Sequence, residues 1–189
     1  LEGVETRTIG REEELTQMKS AFTRTVENRQ THLINLVAEA GIGKSRVLFE
    51  FGKWLDSQEH PVTLFKGRAT QETFQIPYSL LRGILSSSFE IQEKDRAATA
   101  RQKLEKGILK NTSEKDNAVQ YAHFIGHLIG LDYSASPHLK GILGDARQIR
   151  DRAFYYSTQL IAEMTQHQPM VVFLEDIHWA DSGSLDFFE

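Results

Sequence analysis

Leu33-Ile34-Asn35-Leu36-Val37-Ala38-Glu39-Ala40-Gly41-Ile42-Gly43-Lys44-Ser45 is the stretch on which the reading of the fold turns. Its first five residues are a short, nearly continuous apolar run that stops at a small, glycine-containing turn, the pattern of a strand buried on both faces of a parallel sheet. From Lys44 to about Gln58 the period changes to that of a helix, with Val47, Leu48, Phe51, Trp54 and Leu55 on one face. Pro61 interrupts it, and Val62-Thr63-Leu64-Phe65 reads as a second strand. Strand, turn, helix and strand within about 35 residues make a βαβ unit, which is right-handed and lays helices on a parallel sheet.

The turn itself carries chemistry. Ala38 to Ser45 follows the pattern G-x-x-x-x-G-K-[ST] known as Walker A, with the small residue Ala38 in place of the first glycine. A loop of this kind curls its backbone N–H groups inward toward phosphates, and the helix beginning near Lys44 adds the positive end of its dipole. Gly41 and Gly43 leave the backbone free to adopt that curl. Lys44 is placed to reach the β- and γ-phosphates and the Ser45 hydroxyl to ligate Mg²⁺. The cofactor-binding set from this segment is Gly41, Ile42, Gly43, Lys44, Ser45 and Arg46, for ATP with Mg²⁺.

Working outward, residues 1–8 read as a linker, and Leu15, Met18, Phe22 and Val26 recur at helical spacing between Arg11 and Arg29. After the second strand come four helix-period segments, roughly Ser79 to Ser88, Glu93 to Lys110, Glu114 to Leu131 and Asp145 to His167. Asn111-Thr112-Ser113 and Ser134-Ala135-Ser136-Pro137 are the polar turns between them. Met170-Val171-Val172-Phe173-Leu174 then returns to strand character and runs into Glu175-Asp176, a Walker B pattern. Buried strand residues hold such carboxylates at the carboxyl edge of the sheet, where ligands of open α/β folds bind. Glu175 takes the slot of the Mg²⁺-associated acid and Asp176 that of the residue that orients or deprotonates attacking water. Most such pairs run Asp then Glu, so the order here is reversed. Asp181 is expected to cap a last short helix bearing Leu185, Phe187 and Phe188.

Composition narrows the alternatives. The chain has 189 residues, about one domain's worth. Its 22 Lys+Arg against 26 Asp+Glu give a net charge of −4, which leaves no basic excess for a nucleic-acid surface. The absence of Cys removes disulfides, thiolate metal sites and Cys nucleophiles. Apolar runs such as Leu33 to Ala38 fall far short of the roughly 20 residues that cross a bilayer. The opening Leu-Glu-Gly-Val-Glu-Thr-Arg is not a secretory signal, so a cytoplasmic location is expected. His123 and His127 share a helix face at metal-compatible spacing, but no third ligand is indicated, and they read as polar positions beside Phe124, Leu128 and Leu131. Arg147, Arg150 and Arg152 read as a solvated helix face.

Ile9-Gly10-Arg11-Glu12-Glu13-Glu14-Leu15, Ala40-Gly41-Ile42-Gly43-Lys44-Ser45-Arg46 and Leu174-Glu175-Asp176-Ile177-His178-Trp179-Ala180-Asp181, with Gly67-Arg68 and Pro77-Tyr78 between, together resemble a known family. It is the AAA-type P-loop ATPase domain of STAND-class signalling proteins, found behind class III adenylate cyclase domains and in LuxR-type transcriptional activators. The resemblance implies an α/β fold of the P-loop NTPase (ASCE/AAA-like) type. Its parallel sheet would carry a helical insertion, about residues 79–167, between the second strand and the Walker B strand. Residues 9–189 would be the N-terminal part of that domain, incomplete at the C-terminus, because the sensor-1 strand, a further strand and the lid are not in the chain. In such domains the sensor-1 strand lies between the two Walker strands, so self-association through the gap is expected. The resemblance also places Ile9, Gly10 and Arg11 over the nucleotide base. The partners it implies are ATP or ADP and other domains of a larger protein, with no direct nucleic-acid or membrane contact.

Three functions fit these motifs: an ATP-driven regulatory switch with slow hydrolysis, a non-hydrolysing nucleotide-binding scaffold that acts through protein interaction, and a small-molecule P-loop kinase. Asp176, Glu175 and Lys44 would be the catalytic residues and Ser45 and Glu175 the metal ligands. The acid pair followed by His178-Trp179-Ala180-Asp181 favours water over a second substrate as acceptor. Hydrolysis is expected to be poor without the absent lid and any arginine finger.

Overall fold

A computed structural model describes residues 11–37 and 43–189. The chain divides into two units, Leu1–Val62 and Thr63–Glu189.

The first unit holds two helices. α1 spans Glu12–Asn28, opens on Glu12, Glu13 and Glu14, and stops at Arg29, whose backbone is left-handed at φ 53°. Three carboxylates in a first turn lie against the positive end of the helix dipole. α2 spans Lys44–Asp56. The two pack through Met18 and Ala21 on α1 and Val47, Phe51 and Leu55 on α2, all buried. Trp54 joins them, meeting Phe22 edge-on at 5.5 Å and stacking on Phe51 at 5.5 Å.

The strand expected at Leu33–Val37 is not formed. Residues 31–37 have no regular secondary structure, and Leu33 and Val37 are 88% and 90% exposed. A buried parallel strand needs neighbours for both rows of its backbone groups and cover for both faces. The only ladder among the described residues joins two other strands.

Those strands belong to the second unit. β1 (Thr63–Arg68) and β2 (Met170–Glu175) pair in parallel from Thr63 opposite Met170 to Arg68 opposite Glu175. β1 therefore starts one residue later than the sequence indicates and runs three further, through Lys66, Gly67 and Arg68. Gly67 explains why the pattern hid it. A Cβ there would lie 2.4 Å from Ile84 and 2.9 Å from Leu80, so α3 (Ser79–Ser88) rests directly on the strand. The long connection continues through α4 (Ala97–Asn111), α5 (Ala118–Leu128) and α6 (Ala146–His167). Leu104, Ile108, Phe124, Ile125 and Leu160 bury the facing sides of α4, α5 and α6. After β2 the chain makes a short 3₁₀ turn at Ile177–Trp179 and ends in α7 (Ser182–Phe188). No described helix is long and apolar enough to cross a membrane.

Candidate functional site

The start of α2 is built by one residue. Gly43 is left-handed, at φ 85° and ψ 19°, a conformation that side chains strain, and nothing among the described residues lies within 4 Å of where a Cβ would sit. The requirement shown at this position is conformational. Its carbonyl accepts the N–H of Arg46 at 3.0 Å and of Val47 at 3.2 Å, which closes the first turn. Lys44 and Ser45 are the first two residues of the helix, and no acidic side chain stands in that turn to offset the dipole. Arg46 pairs with Glu50 at 2.6 Å along the helix and lies over the Phe49 ring at 5.5 Å.

Arg11, immediately before α1, is hydrogen-bonded to Glu14 and holds that carboxyl below its ordinary range. With Leu15, Val47 and Glu50 it lines a small recess between α1 and α2. Arg11 is thus brought to the same helix pair as the Lys44-Ser45 turn. Ile9, Gly10, Gly41 and Ile42 lie outside the described residues.

The two acids sit where the sequence puts them, at the carboxyl end of β2. The Glu175 carbonyl accepts the Ala69 N–H at 3.0 Å, which carries the ladder one step past β1. Asp176 leaves the strand with a left-handed backbone, φ 54°, and the Arg68 Nε donates to its Oδ2 at 2.8 Å. Arg68 is 70% exposed, so the pair lies on the rim of the sheet. Beyond it, Trp179 packs against Ala69, Leu80, Ile84 and Ala180 and meets Phe74 edge-on at 6.4 Å. His178 lies beside Trp179 at 5.2 Å and is exposed.

Asp181 caps α7 as its sequence position indicates, and does more. It is 4% exposed. Oδ1 accepts the N–H of Ser184 at 2.8 Å and of Tyr78 at 2.7 Å. Oδ2 accepts from the hydroxyls of Ser184 at 2.7 Å and Ser79 at 3.1 Å and from the Leu80 N–H at 3.3 Å. Burial pushes its carboxyl up, but the hydrogen bonds from Ser184, Tyr78 and Leu80 outweigh burial and hold it below the ordinary value.

His123 and the arginines singled out in the sequence have local partners in the second unit. The His123 Nδ1 lies 2.6 Å from the Ser136 hydroxyl and its ring tilts on Tyr133 at 4.6 Å; burial lowers its pKa. The His127 Nδ1 is buried without a hydrogen-bond partner among the described residues. No cluster of three His, Asp or Glu side chains suited to a metal occurs among the described residues. Arg147 and Arg150 pair with Asp151, and Arg152 lies over the Phe124 ring at 5.6 Å.

Taken each by itself, the start of α2 suits an anion and the carboxylates at the end of β2 suit a hard cation. A first turn free of carboxylates, begun by a lysine, favours phosphate. Hydroxyl and carboxylate oxygens suit Mg²⁺, which keeps water and phosphate ligands and uses only one or two protein groups. Two sets of contacts at the site lie beyond the sequence reading, Arg68 on Asp176 and the α3 donors on Asp181. Arg68 is 108 positions from Asp176, and its one signal is the Gly67-Arg68 pair; in the second set of partners on Asp181 only Tyr78 carries one, the Pro77-Tyr78 pair.

A helix launched from Gly-Lys-Ser and a parallel strand ending in adjacent carboxylates are consistent with an α/β protein of the P-loop nucleotide-binding class. The family model for the AAA ATPase domain matches residues 7–189, and the chain belongs to that family. No curated protein and no solved structure matches the chain significantly.

Proposed function

We propose that this chain is the Mg-ATP-binding part of a regulatory switch in a larger STAND-class signalling or transcription-regulating protein, with residues 1–8 as linker and 9–189 as the ATPase domain. Lys44 would hold the β- and γ-phosphates at the start of α2, assisted by the loop glycines and the amides of the first turn. Ser45 and Glu175 would hold Mg²⁺, which supplies charge neutralisation for the phosphates when bound. Asp176 would orient water, and slow hydrolysis would reset the switch. Arg11, with Ile9 and Gly10, would contact the base. Other domains of the parent would read the nucleotide state, and the segment itself would contact neither nucleic acid nor membrane.

The observation that carries this reading is the left-handed Gly43 delivering the chain into α2 on Lys44-Ser45, with no acid in the first turn. Removing Mg²⁺ with a chelator should weaken ATP binding in the wild type, whereas Glu175→Gln should already have lost much of that dependence. Equal Mg²⁺ sensitivity in the two proteins would remove Glu175 from the metal shell. The non-hydrolysing scaffold draws support from Arg68, which occupies one oxygen of Asp176. Phosphate release above that of Asp176→Asn decides for the switch.

A further inference from the structure

We propose that Asp181 is a positioning residue for Asp176, fixing the turn that carries the candidate water-orienting carboxylate by seating the far end of that turn in the start of α3. The proposal rests on the reading of Asp176 given above.

Capping α7 requires little of Asp181. An aspartate at an N-cap accepts one amide two or three residues on, and the Ser184 N–H fills that role. Tyr78, Ser79 and Leu80 lie about a hundred residues away in sequence, and three further donors from them converge on the same buried carboxylate. The helix cap does not account for them. What they do is tie the segment after β2 to the first turn of α3.

The tie closes a ring. Asp176 leaves β2 in a left-handed conformation, so the direction of its carboxylate depends on where the chain goes next. The path is short and internally bonded, with Trp179 N–H on the Asp176 carbonyl and Ala180 N–H on the Ile177 carbonyl, both at 2.9 Å. Its far end is Asp181 on α3. The helix is seated against β1 at Gly67, where there is no room for a Cβ. The next residue of β1 is Arg68, which holds Asp176 at 2.8 Å. The acid is therefore held from both sides by one strand, directly through Arg68 and around the turn through Asp181 and α3.

The test measures Mg-ATP affinity and phosphate release in the full chain. Asp181→Asn keeps one acceptor oxygen for the α7 cap and puts an amide NH₂, which cannot accept, in place of the other. Affinity should stay within about twofold of wild type while turnover falls about tenfold to a hundredfold, as for a reacting group displaced by a fraction of an ångström to an ångström. In an Asp176→Asn background the same substitution should cost nothing further, because Asp181 acts through Asp176. Ser79→Ala removes a single donor and should show the same split at smaller size. Hydrogen exchange at the Trp179 and Ala180 amides reads the positioning without hydrolysis, and should quicken about tenfold in Asp181→Asn while Leu104 and Ile108 stay protected. Where wild-type release lies at background, as expected without the lid, the exchange result alone decides the positioning. Unchanged exchange at Trp179 and Ala180, or a loss of turnover that persists undiminished in the Asp176→Asn background, overturns the proposal.

Discussion

The β1–β2 pair and the segment 31–37 are opposites in one respect. On the pair, every rung from Thr63 opposite Met170 to Arg68 opposite Glu175 is matched, and Phe173 is buried. In the segment, Leu33, Ile34 and Val37 are exposed and no ladder forms. The two runs are similar in length and apolarity, so neither property makes a strand. The difference is a neighbour that takes the backbone hydrogen bonds and a helix that covers the face, which β1 and the helices of the second unit supply to β2.

Substitutions at matched positions should break this comparison if it is wrong. Phe173→Ala should cost the second unit about 3–5 kcal/mol in denaturant unfolding, because it empties a packed site. Gly67→Ala should cost less, about 1–3 kcal/mol, since the added methyl must displace Ile84 and Leu80.

Acid should reveal a subtler asymmetry through Asp181. Its folded-state pKa lies below the ordinary 3.8, so in acid the unfolded chain binds the extra proton. The stability it contributes is complete above that value and is lost as pH falls through the depressed folded value. Asp181→Asn should flatten that part of an acid-unfolding profile followed on the second unit, and an unaltered profile would remove the carboxylate from the account. The smallest effect belongs to Leu33→Ala, which should leave unfolding within about 0.5 kcal/mol of wild type.

The same comparison explains what could be read in advance. α1, α2, α3 and α6 follow from apolar residues at helical spacing, a property each segment carries in itself. α4 and α5 begin later than the pattern indicates, at Ala97 and Ala118, because turns occupy the preceding residues. The apolar pattern ends before β1 does, because Lys66, Gly67 and Arg68 look unlike strand residues, and only contact with α3 explains the glycine. At the candidate site, Lys44 and Ser45 at a helix start and Glu175 and Asp176 at a strand end were legible, since each is a local pattern. Arg68 on Asp176, and Tyr78, Ser79 and Leu80 on Asp181, join residues a hundred or more positions apart. No local pattern announces them.

The central claim is that phosphates bind where Gly43 turns the chain into α2, and calorimetric titration of the wild type and Lys44→Ala with Mg-ATP tests it most directly. A charge-assisted contact of about 1.5 to 3 kcal/mol predicts affinity weakened about tenfold to a hundredfold or more in the variant. Equal affinity in the two proteins would contradict the assignment of the phosphate site.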